Sequence, residues 1–334
     1  GELGEIVTRR TTIRLPDVDT TVRPAIKIRN THFDRYHAAP APDILYARRL
    51  GTNRIFSLMH HGIRYITERE EQKEMHPEYY ALVGGKRQDG KTANACLSSH
   101  GLFKENVRFV RTIFDLYDAP VVSVMPADGF TTICQCPRCK EQATLDRDRA
   151  GWYSDYVWGY VNRVAKELAK SHPDKKIMCG AYSTYQLPPE NIDKLHPNVL
   201  VQITNGRPRW SLDDERHEEL ARLRQRWHSR TANKLSLTMN IFVRGGRPGY
   251  LPHVMARGVR DVADEVWRED IWVSERKGLA YPAVSHLIPY VISRYWWDPD
   301  RDIDALLDEY YRLFYGPAEK QMKALVEYCD AQYT

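Results

Sequence analysis

Eight short runs of β-branched and apolar residues, most of them separated by a stretch with helical spacing, constrain this chain more than any other feature. They occupy residues 25–29, 54–58, 93–97, 121–125, 176–182, 199–203, 235–240 and 270–274. Residues 104–117 place Val107, Val110 and Phe114 at helical spacing, and residues 153–170 do the same with Tyr156, Val157, Tyr160, Val161, Val164 and Leu168. Ser154 and Asp155 offer a cap for the second of these helices. A third helix is predicted over about 213–227, with Glu218, Glu219, Arg222 and Arg224 on a solvent-facing side. Eight parallel strands with intervening helices close most economically into a (β/α)8 TIM barrel, because open doubly wound sheets usually hold fewer strands. The expected organisation is therefore one α/β domain over residues 1–334. The chain opens at Gly1 with neither an initiator Met nor a targeting segment, as expected of a piece excised from a longer protein with a preceding domain.

Charge and hydropathy remove other classes. The 49 basic and 44 acidic residues leave a net charge of +5, scattered without long single-sign runs, which gives no reason to expect nucleic acid as a partner. No apolar stretch approaches the roughly 18 residues that a membrane span needs. The 20 Tyr and 8 Trp suit sugar stacking, interfaces and ordinary cores alike.

In a barrel of this type, chemistry gathers where the strands end. The residues near those ends are Asn30, His32 and Asp34; His60 and His61; Asp128; Tyr182 and Tyr185; Asn205; Asn240; and Glu275. Cys96 lies near the end of the third run, and Cys134, Cys136 and Cys139 follow the fourth. Adjacent strands would thus deliver four thiols to one rim. Four thiolates arranged tetrahedrally make a closed structural zinc site that staples a loop and leaves no position for substrate. A disulfide among them, or four unlinked thiols, are the alternatives. The spacing resembles the four-cysteine zinc cluster of family 42 β-galactosidases, which are also barrels. Cys179, inside a strand, and Cys329, in a C-terminal helix, are expected to be bystanders.

Several motifs occur in a fixed order: residues 76–82 (from His76, Pro77 and Glu78), then Gly85, Lys86 and Arg87, then Cys96, Leu97 and Ser98, then 125–129 (Met125, Pro126, Ala127, Asp128, Gly129) with the three cysteines. At the C-terminal end come Tyr295, Trp296, Trp297, Asp298 and Pro299, then 302–311, then Phe314, Tyr315 and Gly316. Together they resemble the bacterial family called domain of unknown function 4838, over nearly the whole chain. That resemblance implies a secreted or periplasmic carbohydrate-active barrel, related to glycoside hydrolase family 163, whose members are endo-β-N-acetylglucosaminidases acting on N-glycans. It implies a glycan substrate, a place in polysaccharide degradation and no cofactor for catalysis.

Glycoside hydrolysis usually requires two carboxyl groups flanking the scissile bond, and Asp128 and Glu275 are the expected catalytic pair of a retaining enzyme. Where the substrate's own acetamido oxygen replaces the nucleophile, Glu275 would be the acid and Asp128 the orienting group, with the reverse assignment open. Related hexosaminidases place an Asp-Glu pair after the fourth strand, whereas here Asp128 is followed by Gly129. That departure motivates an alternative, a carbohydrate-binding barrel without catalysis. Asp128 also fits a turn, because Asp-Gly is a common turn dipeptide, and Glu275 also fits an exposed ion-paired face. His32, His60 and His61 are candidates for sugar contact, with packing or metal ligation in a zinc-dependent hydrolase as alternatives. Asn205 and Asn240 could bond sugar hydroxyls or cap loops, and Tyr182 and Tyr185 could stack on a pyranose or line the mouth.

Overall fold

The structure is a computed structural model and describes residues 11–14, 16–32, 47–53, 61–88, 94–208, 213–242, 250–274 and 286–333. In chain order come β1 (Ile28–His32), α1 (Arg64–Thr67), α2 (Glu70–Met75), β2 (Leu82–Val83), β3 (Lys86–Arg87), α3 (His100–Tyr117) and β4 (Val121–Ser123). Next are α4 (Ser154–Ala169), β5 (Lys176–Ala181), β6 (Val199–Thr204), α5 (Asp214–His228) and β7 (Leu235–Phe242). The chain closes with α6 (Pro252–Arg260), β8 (Val266–Ser274), α7 (Leu287–Trp297), α8 (Ile303–Tyr310) and α9 (Glu319–Asp330). Two compact units alternate along the sequence: one holds residues 55–204 and 222–236, the other 1–54, 205–221 and 237–334.

In the unit built on residues 55–204, β5 lies between β4 and β6 and pairs in parallel with both, Val122 opposite Ile177 and Cys179 opposite Val201. These strands are covered by helices, so they read as continuous apolar runs rather than alternating ones. The Ser99 hydroxyl caps α3 by accepting the Leu102 amide at 3.3 Å. One face of that helix buries Leu102, Val107, Val110 and Phe114, as its spacing predicts. The helix α4 buries Tyr156, Val157, Tyr160, Val161, Val164 and Leu168. Its expected cap is absent: the helix starts without a side-chain cap. The Ser154 hydroxyl instead donates to the Leu187 carbonyl at 2.6 Å, and Asp155 accepts the Glu190 and Asn191 amides. Both residues therefore pin a neighbouring loop.

In the other unit β1 pairs in parallel with β8, Asn30 opposite Asp270, and β7 lies on the far side of β8. Its core gathers Ile26, Met239 and Ile271 with the apolar faces of α6, α7 and α8. Buried charge is built in here: the Arg207 guanidinium donates through Nε to Glu269 Oε1 at 2.5 Å, and Trp296 Nε1 donates to Glu269 Oε2 at 2.5 Å.

Six of the eight expected runs contain strands. The run at 54–58 lies outside the described residues, and the described part of 93–97 makes only one antiparallel bridge, Ala95 with Tyr80. Its backbone is engaged locally, since the Asn94 carbonyl takes the Ala81 amide and the Cys96 amide donates to Tyr79. The fold is mixed α/β with parallel strands; an eight-stranded ring is not seen among the described residues. On α5, Glu218, Glu219 and Arg222 are exposed as expected, but Arg224 is buried. No helix of the described residues is long and apolar enough to cross a membrane.

Candidate functional site

Three segments meet beyond β4. Residues 61–63 lie directly against the end of that strand, with the Ile63 amide donating to the Met125 carbonyl at 3.2 Å. Gly62 makes the approach feasible, because a Cβ there would fall 1.6 Å from the Ser123 carbonyl oxygen. His61 is consequently half-enclosed: its Nδ1 lies 2.5 Å from the Pro126 carbonyl oxygen and its Nε2 3.9 Å from Asp128 Oδ1. A carbonyl can only accept, so Nδ1 carries the hydrogen and Nε2 is the accepting nitrogen of the neutral ring. Burial lowers the His61 pKa below its ordinary value, opposed in part by the Pro126 carbonyl and the Asp128 carboxylate.

Asp128 sits in the turn that follows, with its side chain 67% exposed. Its Oδ1 accepts the Gly129 amide at 2.9 Å and the Tyr182 hydroxyl at 3.4 Å. Gly129 has φ +74°, a backbone that a side chain would strain, so the Asp-Gly pair forms the turn as well as presenting the carboxylate. Among the described residues the contacts of Asp128 fall on Oδ1.

Tyr182 directly follows β5 and is half-buried; burial and the nearby Asp128 charge raise its pKa. Tyr185 is placed differently from the expectation of a sugar platform. It is fully buried, edge-on to Phe130 at 5.9 Å and to Tyr182 at 6.5 Å. Burial pushes its phenol well above the usual range, and among the described residues its hydroxyl has no hydrogen-bond partner. It supports the site from beneath.

The four cysteines converge as the spacing predicts. Cys96, Cys134, Cys136 and Cys139 are all buried, and their sulfurs lie within 4.8 Å of one another. The Cys96 sulfur is 3.6 Å from Cys139 and 3.9 Å from Cys136, far beyond a disulfide bond of about 2.05 Å, so all four are free. The Leu82 amide donates to Cys134 Sγ at 3.3 Å, with Arg87 Nη1 at 3.9 Å. Tyr156 Oη accepts the Leu97 amide at 2.7 Å and lies 3.2 Å from Cys139 Sγ. The hydrogen bond between the Cys96 and Cys139 sulfurs lowers the pKa of Cys139 and, together with burial, raises that of Cys96. Cys179 is buried in β5, where desolvation raises its pKa, and Cys329 is half-buried in α9.

The other unit holds the remaining described candidates. His32 ends β1, while His60, Asp34 and Glu275 lie outside the described residues. Asn205, just past β6, adopts φ +54° and bonds the β7 backbone: its amide donates to Thr238 at 2.6 Å and its Oδ1 accepts the Asn240 amide at 3.2 Å. That geometry is strand-end capping. Asn30 is buried and donates to Asp270 Oδ1 at 3.2 Å, while Arg268 Nη2 donates to Asp270 Oδ2 at 2.9 Å. Burial lowers the Arg268 pKa, against the pull of Asp270. Sequence reasoning missed Arg268 and Glu269 because it started the strand at 270, whereas β8 begins at Val266. It missed Gly62 too, which carries no local signal.

A family model described as a domain of unknown function (DUF4838) matches residues 2–327. The chain belongs to this family. No protein of curated function matches this DUF4838 chain. Among solved structures it is similar to a glycoside hydrolase family 5 enzyme from Prevotella bryantii, at 8% identity and TM-score 0.39, over 76% of this chain and 74% of that one. It is also similar to the catalytic domain of a hyperthermophilic chitinase from Pyrococcus furiosus, at 12% identity and TM-score 0.40, over 83% and 98% of the two chains. Scores this low decide neither the architecture nor the reaction of the DUF4838 chain.

Proposed function

We propose that the chain is a glycoside hydrolase acting on glycans in a secreted or periplasmic setting. Its narrower activity is retaining endo-β-N-acetylglucosaminidase cleavage of N-glycans, assisted by the acetamido group of the substrate. The observation that carries this reading is the exposed Asp128 carboxylate beyond β4, with Oδ1 tied to the Gly129 amide and the Tyr182 hydroxyl. A carboxylate held by two donors on one oxygen is oriented to accept with the other, which suits an acetamido N–H that must be aligned and polarised. Glu275, next in the chain after β8, then takes the acid role and protonates the leaving oxygen. Tyr182 offers a partly exposed ring beside the carboxylate, suited to a sugar face.

The kinship with glycoside hydrolase family 163 that the motifs imply supports the reaction class. The departure from the Asp-Glu pattern has a physical reason. At the positive φ of residue 129 an acidic side chain would strain the turn, which is compatible with the second carboxylate being Glu275 instead. Incubation with a complex N-glycoprotein, followed by mass analysis of the released glycan, tests the reading. Release that falls by about 10²–10⁴-fold in both Asp128→Asn and Glu275→Gln, with folding intact, is the expected result. Glycan binding without release by the unaltered protein would favour a non-catalytic carbohydrate-binding role, and full activity in either variant removes that residue from the mechanism.

A further inference from the structure

We propose that Cys96, Cys134, Cys136 and Cys139 hold one tetrahedral zinc ion, and that this ion fastens the loop presenting Asp128. The metal assignment stands independently of the glycan reading; only the importance of the loop rests on it. With zinc–sulfur bonds of about 2.3 Å, a tetrahedron has sulfur–sulfur edges of about 3.8 Å. The separations of 3.6 and 3.9 Å match those edges, and all the sulfurs lie within 4.8 Å.

The groups around the sulfurs are donors. The Leu82 amide points at Cys134, and the Arg87 guanidinium lies against it. Tyr156 already accepts the Leu97 amide, so its own hydroxyl hydrogen is left for Cys139. Donors from backbone, guanidinium and phenol are what buried thiolates need, whereas a cage of neutral thiols would call for acceptors. A zinc ion in a four-thiolate cage keeps a net negative charge, which these donors and Arg87 offset. Four protein ligands close the coordination sphere, so the ion contributes cross-linking and no open position for substrate.

The ion would join segments far apart in sequence. Cys96 lies in the turn before α3, and the other three ligands follow the Asp128 loop, Cys134 being six residues beyond Asp128. Between them Phe130 is fully buried, stacked on Tyr156 at 6.5 Å and edge-on to Tyr153 at 6.0 Å. The Thr184 hydroxyl donates to the Phe130 carbonyl at 2.8 Å, and Asn94 Nδ2 to the Thr132 carbonyl at 3.2 Å. Tyr156 thus touches both the metal cage and the hydrophobic anchor of the loop.

Elemental analysis of protein purified under reducing conditions should give about one zinc per chain, as a closed four-thiolate site binds one ion. Cys96→Ser and Cys139→Ser should lose it, and Cys329→Ser should keep it. Because the first two variants could fail to fold, cobalt(II) is also exchanged into the unaltered protein, where sulfur-to-cobalt charge-transfer absorption with the visible bands of a tetrahedral ion is expected. Hydrogen exchange over residues 126–134 should speed up by about tenfold or more when the metal is stripped. Iron in place of zinc, a disulfide between any two of the four sulfurs, failure of the reduced protein to take up zinc or cobalt, or zinc unchanged in the Cys96 and Cys139 variants overturns the assignment. Unchanged exchange in the stripped protein overturns the role given to the loop. Absence of glycan release would leave the metal stoichiometry untouched, which separates this proposal from the catalytic one.

Discussion

Gly62→Ala is expected to pull His61 away from the loop after β4. The added Cβ would lie 1.6 Å from the Ser123 carbonyl oxygen and 2.4 Å from its carbon, whereas non-bonded heavy atoms settle at about 3.5 Å. The obstacle is backbone in a strand, not the flexible end of a side chain, so residues 61–63 must withdraw by about 2 Å. That displacement breaks the 2.5 Å contact of His61 with the Pro126 carbonyl and the 3.2 Å hydrogen bond from Ile63 to Met125. Overpacking costs about 1–3 kcal/mol, and each of the two lost hydrogen bonds roughly 0.5–1.5 kcal/mol, which places the total at about 2–6 kcal/mol. Urea unfolding followed by Trp fluorescence reads this as a lower midpoint at unchanged slope. A second readout concerns His61 itself. Burial holds its pKa below the ordinary value, so withdrawal into solvent should bring it back up, measurable by NMR titration of the ring protons. A variant with the parental midpoint and the parental His61 titration refutes the close approach and, with it, the account of how His61 is placed.

The buried pair in the other unit makes a stability prediction. Arg207 and Glu269 are both fully enclosed, so Glu269→Leu leaves an unpaired guanidinium and should cost about 3–5 kcal/mol, while Arg207→Met combined with Glu269→Leu should cost clearly less. Equal losses in the single and double variants reject that explanation. His253 on α6 bonds Asp330 at the end of α9 and lies 3.3 Å from Asp304 on α8; the bond to Asp330 is the chief cause of its raised pKa. A raised folded-state pKa means that this stabilisation is complete below the unfolded value of about 6.5 and is lost as pH rises through the folded value. The melting-temperature difference between the parent and His253→Gln should therefore be largest in mild acid and shrink on the alkaline side. A difference independent of pH removes the ion pair as its cause.

Local periodicity carried much of the architecture. In α3 and α4, apolar residues recur on one face, and the helix must bury that face, so Val107, Phe114, Tyr160 and Val164 are legible as core without any partner in view. The same holds for β4, β5 and β6, whose apolar runs survive as buried strands. The third run fails for a reason that spacing does not contain: residues 79–81 take its backbone hydrogen bonds. Cys96 nevertheless reaches the other three cysteines, brought there by that turn and not by a strand. The cluster was readable because sulfur-rich spacing is rare, and the four sulfurs converge although the supporting strand does not form.

Charges behaved differently. Arg224, Glu269 and Asp270 look like surface residues in a sequence, because whether a charge can be buried depends on a partner that only the fold brings within reach. Asn205 reads equally as a sugar ligand or a loop cap, and only the fold shows its backbone amide and Oδ1 bonded to β7. By itself, the order of residues marked most of the helical and extended segments, the close trio Cys134, Cys136 and Cys139, and a turn at Asp128 and Gly129 after a strand, since each follows from neighbours a few positions apart. Tertiary structure alone decided that Gly62 lets His61 reach β4, that Tyr182 donates to Asp128, and that Tyr185 is buried beneath it. Those contacts join residues 54 to 65 positions apart, and packing between such distant segments leaves no mark in the spacing of either one.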